Sequence, residues 1–346
     1  MPITLVTGAN GFVGAAVVNE LVAQKHKVVL AVRTPSSADA LLSVHPEWPT
    51  QDIAISIVTD FTMPGAFDAV FQSHPGIDYI IHVAAPLLDD PRNTDFVEHF
   101  EKPSVLGNTG LLKSAKTFGK NVKAISVTGS LNAITKGDQD DVKKRVISNE
   151  EWLPLGKEDA MQAQNPLIWY CVGKKLAEQA IWKFIEEEKP SFTVTNFMPP
   201  LIFGPMMQKV PSVEKINFSV RLFYGILNGA KAEGGRVPNT MFPGYIDVRD
   251  LAKVQVLALT TPGAANRRFV VGYPVVFNRF ADALRNDAEL GVSSRIGENN
   301  SDDTTLTLPR FDTKAAEEVF DCEWTSLEKT ARDTALSLLK VEALKT

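Results

Sequence analysis

The sequence predicts an α/β protein built on a doubly wound parallel sheet, with a smaller lobe contributed by its C-terminal part. Three observations predict it. Short β-rich runs recur at residues 3–7, 28–32, 53–59, 79–83, 124–128, 193–197 and 269–271. Most are almost continuously apolar rather than alternating, as strands covered on both faces are. Helical patterns at 11–23, 65–72, 103–118 and 170–188 separate them, so strand and helix alternate through the first two hundred residues.

The first run, "ITLVT", leads directly into "GANGFVGAAVVNELV", with Gly8, Gly11 and Gly14 between a strand and a helix. Gly8 lets the chain turn out of the strand. Gly11 lets backbone approach a pyrophosphate, and Gly14 lets the helix pack closely. The helix N-terminus offers free N–H groups and partial positive charge to phosphates. Asn10, Phe12 and Val13 complete this loop, which reads as the dinucleotide site of a Rossmann-type sheet. The spacing is G-x-x-G-x-x-G rather than the G-x-G-x-x-G of many dehydrogenases.

The second run ends in "VVLAVRTPSS". An acid here would hold an NAD ribose; Arg33 stands in its place, with Thr34, Ser36 and Ser37 following. A guanidinium suits a 2′-phosphate, so the expected cofactor is NADP(H). The third run ends at Asp60 and Phe61, where Asp60 is placed to accept a hydrogen bond from an adenine amino group. The fourth ends in "HVAAP", whose Ala84 and Ala85 let a cofactor lie against backbone; His82 reads as a packed strand-end residue.

The fifth run, "AISVTGS", delivers Ser130 just past the carboxyl edge of the sheet, where ligands of such folds bind. Tyr170 and Lys174 follow in "NPLIWYCVGKKLAEQA", four residues apart on one helix face. A phenol titrates near ~10 unless assisted, and a neighbouring ammonium lowers that value. Lys174 is positioned to supply the charge and to reach cofactor ribose hydroxyls, while Ser130 would hold the substrate oxygen. Taken alone the Tyr–Lys pair reads as two amphipathic side chains; with the glycine loop and Ser130 it reads as chemistry. Cys171 reads as a small interior helix residue.

Beyond residue 198 the rhythm changes. Residues 1–198 form the expected dinucleotide-binding domain, to which residues 246–275 return. Residues 199–245, rich in Pro, Gly, Met and aromatics, and residues 276–346, with one helix near 325–341, form a substrate-binding lobe. Stretches 86–96 and 131–135 and this lobe should line the pocket, with Pro86, Leu131, Phe203 and Met206 as contacts. Met207, Phe223, Tyr224, Met241 and Phe242 belong to the same aromatic and thioether set. Each alone reads best as core, while together they suggest an apolar pocket for a bulky or aromatic carbonyl compound. Arg92, Lys136 and Lys209 read as solvated surface cations.

The bulk composition narrows the class. The 346 residues carry 36 basic and 41 acidic side chains, a net charge of −5, so nothing favours nucleic acid or an anionic membrane. Cys171 and Cys322 form no framework, and the five histidines (26, 45, 74, 82, 99) show no ligand spacing, so no metal is expected. A strand begins almost at once, leaving no room for a signal peptide. The expectation is a cytoplasmic protein, monomer or homodimer, in which the sequons at Asn217 and Asn299 are not used.

Taken together, TGxxGxxG, the serine after the fifth strand and YxxxK resemble the extended branch of the short-chain dehydrogenase/reductase superfamily. "VTGANGFVG", "HVAAP", "WYCVGKKLAEQAIW", "NFMPPLIFGP" and "YIDVRDLAKVQVLAL" are similar to the dihydroflavonol reductase and cinnamoyl-CoA reductase group and to related fungal NADPH-dependent ketone and aldehyde reductases. The resemblance runs to about residue 275. It implies that Ser130, Tyr170 and Lys174 are catalytic, with Tyr170 protonating a carbonyl oxygen as NADPH delivers hydride. It also implies that Pro199 to Leu201 contact the nicotinamide carboxamide, and that Asp247 and Asp250 belong to a recurring structural element. The chain departs from the family at Gly129 and Leu131, which flank Ser130, and at Gly173. Two other readings stay open: an epimerase, dehydratase or alcohol dehydrogenase on the same scaffold, and a non-catalytic NADP(H) sensor.

Overall fold

The computed structural model describes residues 1–85, 94–138, 146–321 and 323–344. Among them the strands are β1 (Ile3–Thr7), β2 (Lys27–Val32), β3 (Ile53–Ile57), β4 (Tyr79–His82), β5 (Ala124–Thr128), β6 (Val146–Ile147), β7 (Thr193–Met198), β8 (Leu201–Phe203), β9 (Tyr245–Asp247), β10 (Arg267–Val270) and β11 (Arg310–Phe311). Seven of them form one parallel sheet in the order β3-β2-β1-β4-β5-β7-β10. The chain moves outward from β1 to β3 and then crosses back to β4. The crevice at the carboxyl ends of β1 and β4 is therefore the topological switch point, where such sheets bind ligands.

Burial follows position in the sheet. β1, β2 and β7 are buried along nearly their whole length because helices cover both faces. β3 is an edge strand, and Ile55 and Ile57 stay 42% and 44% exposed. Helix Phe12–Ala23 lies between the sheet and helix Val248–Leu257. Its run of Gly14, Ala15 and Ala16, all buried, lets both neighbours approach.

The helix carrying Tyr170 and Lys174 begins earlier than the apolar periodicity alone predicts, at Pro166, and runs to Glu188. Asn165 caps it by accepting from Leu167 N–H, and Pro166 at the first helical position needs no donor. It packs against helix Lys102–Phe118, which is entered through a π-helical turn at Val97–Glu101. Gly173 belongs to that packing, since a Cβ there would lie 3.3 Å from Phe100 Cβ.

The last seventy residues hold more helix than their pattern predicts: Phe277–Asn286, Lys314–Phe320 and Leu327–Ala343. Phe277–Asn286 and Leu327–Ala343 pack with Phe218–Leu227. Asp247 caps helix Val248–Leu257 through Arg249 N–H (2.8 Å) and accepts from Thr330 Oγ1 (2.8 Å). Asp250 accepts from the backbone and hydroxyl of Thr325. This acidic element therefore ties the C-terminal helix and the residues before it to β9 and helix Val248–Leu257. Two short parallel pairs, β6–β11 and β8–β9, lie outside the main sheet.

Candidate active site

A cleft of about 700 Å³ opens at the switch point, of the size expected for a ligand site. The glycine loop forms its floor. Gly8 has φ +66°, and a Cβ on it would lie 2.9 Å from Ala84 N, so the turn out of β1 nests against the backbone after β4. Gly14 does not face the cleft. A Cβ there would lie 2.1 Å from Gly8 O, which is the close helix packing its position implies. Gly8, Asn10, Gly11, Phe12 and Val13 line the cleft. Gly11 is the helix N-cap, supplies no side-chain cap, and the first turn carries no acidic residue, so its N–H groups face the cleft uncompensated. This donor set fits a dinucleotide pyrophosphate.

Arg33 lines the cleft from the end of β2 and is exposed at its mouth. Thr34 is committed locally, since its hydroxyl accepts from Ser37 N–H and caps helix Pro35–Leu42. Phe61, Ala84 and Ala85 also line the cleft. Asp60 is exposed and is not among the lining residues. Its Oδ1 accepts from Thr62 N (2.9 Å) and Thr62 Oγ1 (2.6 Å), and these bonds hold its carboxyl below the usual range. Thr62 lines the cleft in its stead.

Ser130, Tyr170 and Lys174 come together at the other side of the loop. Ladder bonds beyond the strand ends, Gly129 N to Phe197 O (2.8 Å) and Leu131 N to Pro199 O (2.9 Å), fix Ser130 in extended backbone at the sheet edge. Asn132 N–H donates to Ser130 Oγ at 3.2 Å. The Ser130 hydroxyl lies near enough to Tyr170 to pull its pKa down, and Lys174 Nζ lies 5.6 Å from the Tyr170 ring centre. Burial pushes the phenol up to about 12, against the pull of the Ser130 hydrogen bond. Burial also holds the Lys174 ammonium down at about 8. With burial the largest cause, Tyr170 keeps its proton near neutral pH.

The rest of the helix is locked against rotation. Glu178, one turn beyond Lys174, is buried and forks onto Arg268 of β10 (2.7 and 2.9 Å). Arg268 stacks 3.8 Å over Trp152 and donates to the carbonyls of Asn149 and Glu151. Lys175 donates to Leu153 O and Leu155 O, both at 2.8 Å. A paired, bidentate arginine in the interior holds geometry more than it adds stability. Cys171 is fully buried, its thiol pushed up by burial to about 12.

The substrate end of the cleft differs most from expectation. Pro199, Leu201 and Leu131 line it, and Pro86 and Arg92 lie outside the described residues. Phe203 does not line it. It is fully buried in an aromatic core, edge-on to Phe280 (5.1 Å, 87°) and Phe223 (5.3 Å, 64°). Met206 packs against the same core while its N–H donates to Ser337 Oγ. Tyr224 bonds Glu342, Met241 is exposed, and only Phe242 of the aromatic and thioether set faces the cleft. Lys136 pairs with Asp138. In their place stand Phe218, Pro309 and Phe311, with Asn132, Asn217 and Ser219. Phe311 arrives through the β6–β11 pairing, which joins segments about 160 residues apart and leaves no local pattern.

Residues 4–272 match the NAD dependent epimerase/dehydratase family. The chain is 30% identical to the NADPH-dependent methylglyoxal reductase GRE2 of Saccharomyces cerevisiae over 344 residues, covering 97% of this chain and 98% of that protein. It is 29% identical to the ketoreductase azaE of Aspergillus niger, covering 97% of each. The crystal structure of the yeast methylglyoxal/isovaleraldehyde reductase Gre2 complexed with NADPH superposes with a TM-score of 0.86 at 28% identity, over 99% of each chain. Family match, strand order and full-length relatives agree: the chain belongs to the NAD dependent epimerase/dehydratase family, the extended short-chain dehydrogenase/reductases.

Proposed function

We propose that this protein is an NADPH-dependent carbonyl reductase that converts a bulky or aromatic aldehyde or ketone to its alcohol. One observation carries the reading: a serine, a tyrosine and a lysine meet in a cleft whose far end offers a helix N-terminus and an arginine. The NADPH dependence of its reductase relatives supports the cofactor. NADPH, when bound, supplies the hydride.

The chain's residues do the rest. The first-turn N–H groups of helix Phe12–Ala23 bind the pyrophosphate, and Arg33 holds the 2′-phosphate. Ser130 donates a hydrogen bond to the substrate oxygen and fixes its position. Tyr170 Oη gives up its proton to that oxygen as charge develops. Lys174 holds ribose hydroxyls and, by its charge, stabilises the tyrosinate that proton transfer leaves. Phe218, Phe242 and Phe311 present rings to the substrate's apolar part and keep water from the reacting carbon.

The test is NADPH oxidation, followed by absorbance, against aromatic aldehydes, aryl ketones, α-keto esters and diketones, with NADH in parallel. Turnover with NADPH and little with NADH is the expected result. Isolated protein carrying tightly bound NAD, with no net NADPH consumption, would assign it to the isomerases of the family instead. Binding of NADPH without turnover, together with biological function unchanged by Tyr170→Phe, would assign it to a sensor.

A further inference from the structure

Away from the cleft, the turn between helix Pro35–Leu42 and β3 reads His45, Pro46, Glu47, Trp48. Proline at its second position presets the bend, and Trp48 N–H closes it on His45 O at 3.2 Å. The turn lays the imidazole flat on the indole, with ring centres 3.9 Å apart and planes within 2°. Trp48 is buried in a core that also holds Val210 and Ile216, and Met206 and Met207 pack against that core. The turn thereby meets the chain that connects β8 to helix Phe218–Leu227. At the far end of this connection Asn217, Phe218 and Ser219 line the cleft.

The connection is held from two sides. Gly204 N–H and Met206 N–H donate to Thr334 Oγ1 (2.8 Å) and Ser337 Oγ (3.1 Å) of the C-terminal helix. From the other side, His45 Nε2 lies 2.6 Å from Met207 O, and Nδ1 lies 2.7 Å from Glu47 Oε1. A carbonyl oxygen and a carboxylate accept hydrogen bonds and have no proton to give. Glu47 is a carboxylate, since its hydrogen bond with His45 holds its carboxyl below the usual range. A neutral imidazole has one N–H, and would turn a lone pair toward the other oxygen. The imidazolium has two, satisfies both oxygens, and rests its charge on an indole face.

We propose that His45 is a protonated clasp that ties the turn before β3 to the connection at Met207, complete only while both ring nitrogens carry protons. On the elements packed here, Asp39, Lys209 and Lys340 are exposed and Glu20 accepts from Gln24. Among the described residues, Glu47 is the charged group that bonds the ring. The direction with pH follows from the bonds. As pH rises the imidazolium loses a proton, one of the two hydrogen bonds goes, and the stabilisation goes with it. In acid the clasp holds until Glu47 takes up a proton. The device does not depend on which reaction the cleft performs.

Melting curves of the wild type, His45→Gln and His45→Arg at about pH 5.5 and about pH 8.5 test it, because histidine changes charge between these values. Glutamine offers its donors from one nitrogen and so reaches one oxygen, as the neutral ring does. Arginine keeps its charge and several donors at both values. The wild type should melt about 2–4 °C above His45→Gln at the lower pH, the shift expected of one charged hydrogen bond, and level with it at the higher. The gap between His45→Arg and His45→Gln should not change with pH. Hydrogen exchange of residues 204–216 should be about tenfold faster in His45→Gln than in the wild type at the lower pH. A wild-type gap of one size at both pH values, no gap at the lower one, or unchanged exchange overturns the proposal. Wild-type NMR covers the case of a variant that fails to fold. Two slowly exchanging ring N–H protons on His45 at about pH 5.5 are expected, and one or none overturns it.

Discussion

Gly129 and Asn196 share one space at the edge of the sheet: a Cβ on Gly129 would lie 2.7 Å from Asn196 Nδ2 and 2.8 Å from Phe197 O. The Asn196 side chain fills the space that a side chain at position 129 would need. Gly129→Ser should therefore cost about 1–3 kcal/mol of stability by overpacking. Chemical denaturation checks it. The double variant Gly129→Ser, Asn196→Ala should recover most of the loss, and no recovery would mean that the backbone at Gly129, not Asn196, sets the constraint.

Tyr170→Phe removes the proton donor and keeps the ring. Turnover should fall about 10²–10⁴-fold, the usual worth of a general acid. NADPH affinity, by fluorescence titration, should stay within about twofold, since few cofactor contacts run through one hydroxyl. A comparable loss of cofactor binding would count against the acid role.

Lys174 is charged below its pKa of about 8 and neutral above it. Functions that need the ammonium are present at neutral pH and fade as pH rises through 8, so kcat/KM should fall on the alkaline side with a midpoint near there. Stability runs the other way. The native state holds this proton less tightly than the unfolded chain, so between about 8 and 10.5 the unfolded state binds more protons and the Lys174 contribution to stability rises with pH. A pH–rate profile flat to pH 10 would contradict the assignment.

Arg33 sits exposed at the cleft mouth where β2 ends. Arg33→Asp should repel a 2′-phosphate and accept ribose hydroxyls, shifting the NADPH/NADH ratio of kcat/KM about tenfold or more toward NADH. Parallel assays with the two cofactors decide it, and an unchanged ratio would remove Arg33 from the recognition.

In the Glu178–Arg268 pair the carboxylate is buried and the guanidinium is 12% exposed. Arg268→Met leaves a lone carboxylate inside and should cost about 3–5 kcal/mol, whereas replacing both partners by apolar residues should cost far less. Burial already raises the Glu178 pKa, so the single variant should lose less at acid pH, where the carboxyl takes a proton. Melting curves at two pH values test both statements.

Local patterns carried much of this protein. The glycine loop, Arg33, Ser130 and the Tyr170–Lys174 pair are legible because each sits at a strand end or one helical turn away, and strand order does the rest. The Asn165–Pro166 start of the helix that carries Tyr170 is a local capping signal as well, one the apolar period alone does not contain. Asp60 stands at a strand end too, and the bonds that its Oδ1 accepts from Thr62 are local contacts that no strand pattern announces.

The substrate end was decided only by tertiary structure. Phe203 and Phe242 look alike in sequence, both aromatic and both beside Gly or Pro. One fills the core against Phe223 and Phe280, and the other faces the cleft. Phe311 reaches the cleft through a pairing with residues 146–147. The raised phenol of Tyr170 and the lowered ammonium of Lys174 likewise come from burial by distant segments. Sequence period reports which way a side chain points on its own strand or helix. What it points at depends on which other elements pack there, and that is a property of the folded whole.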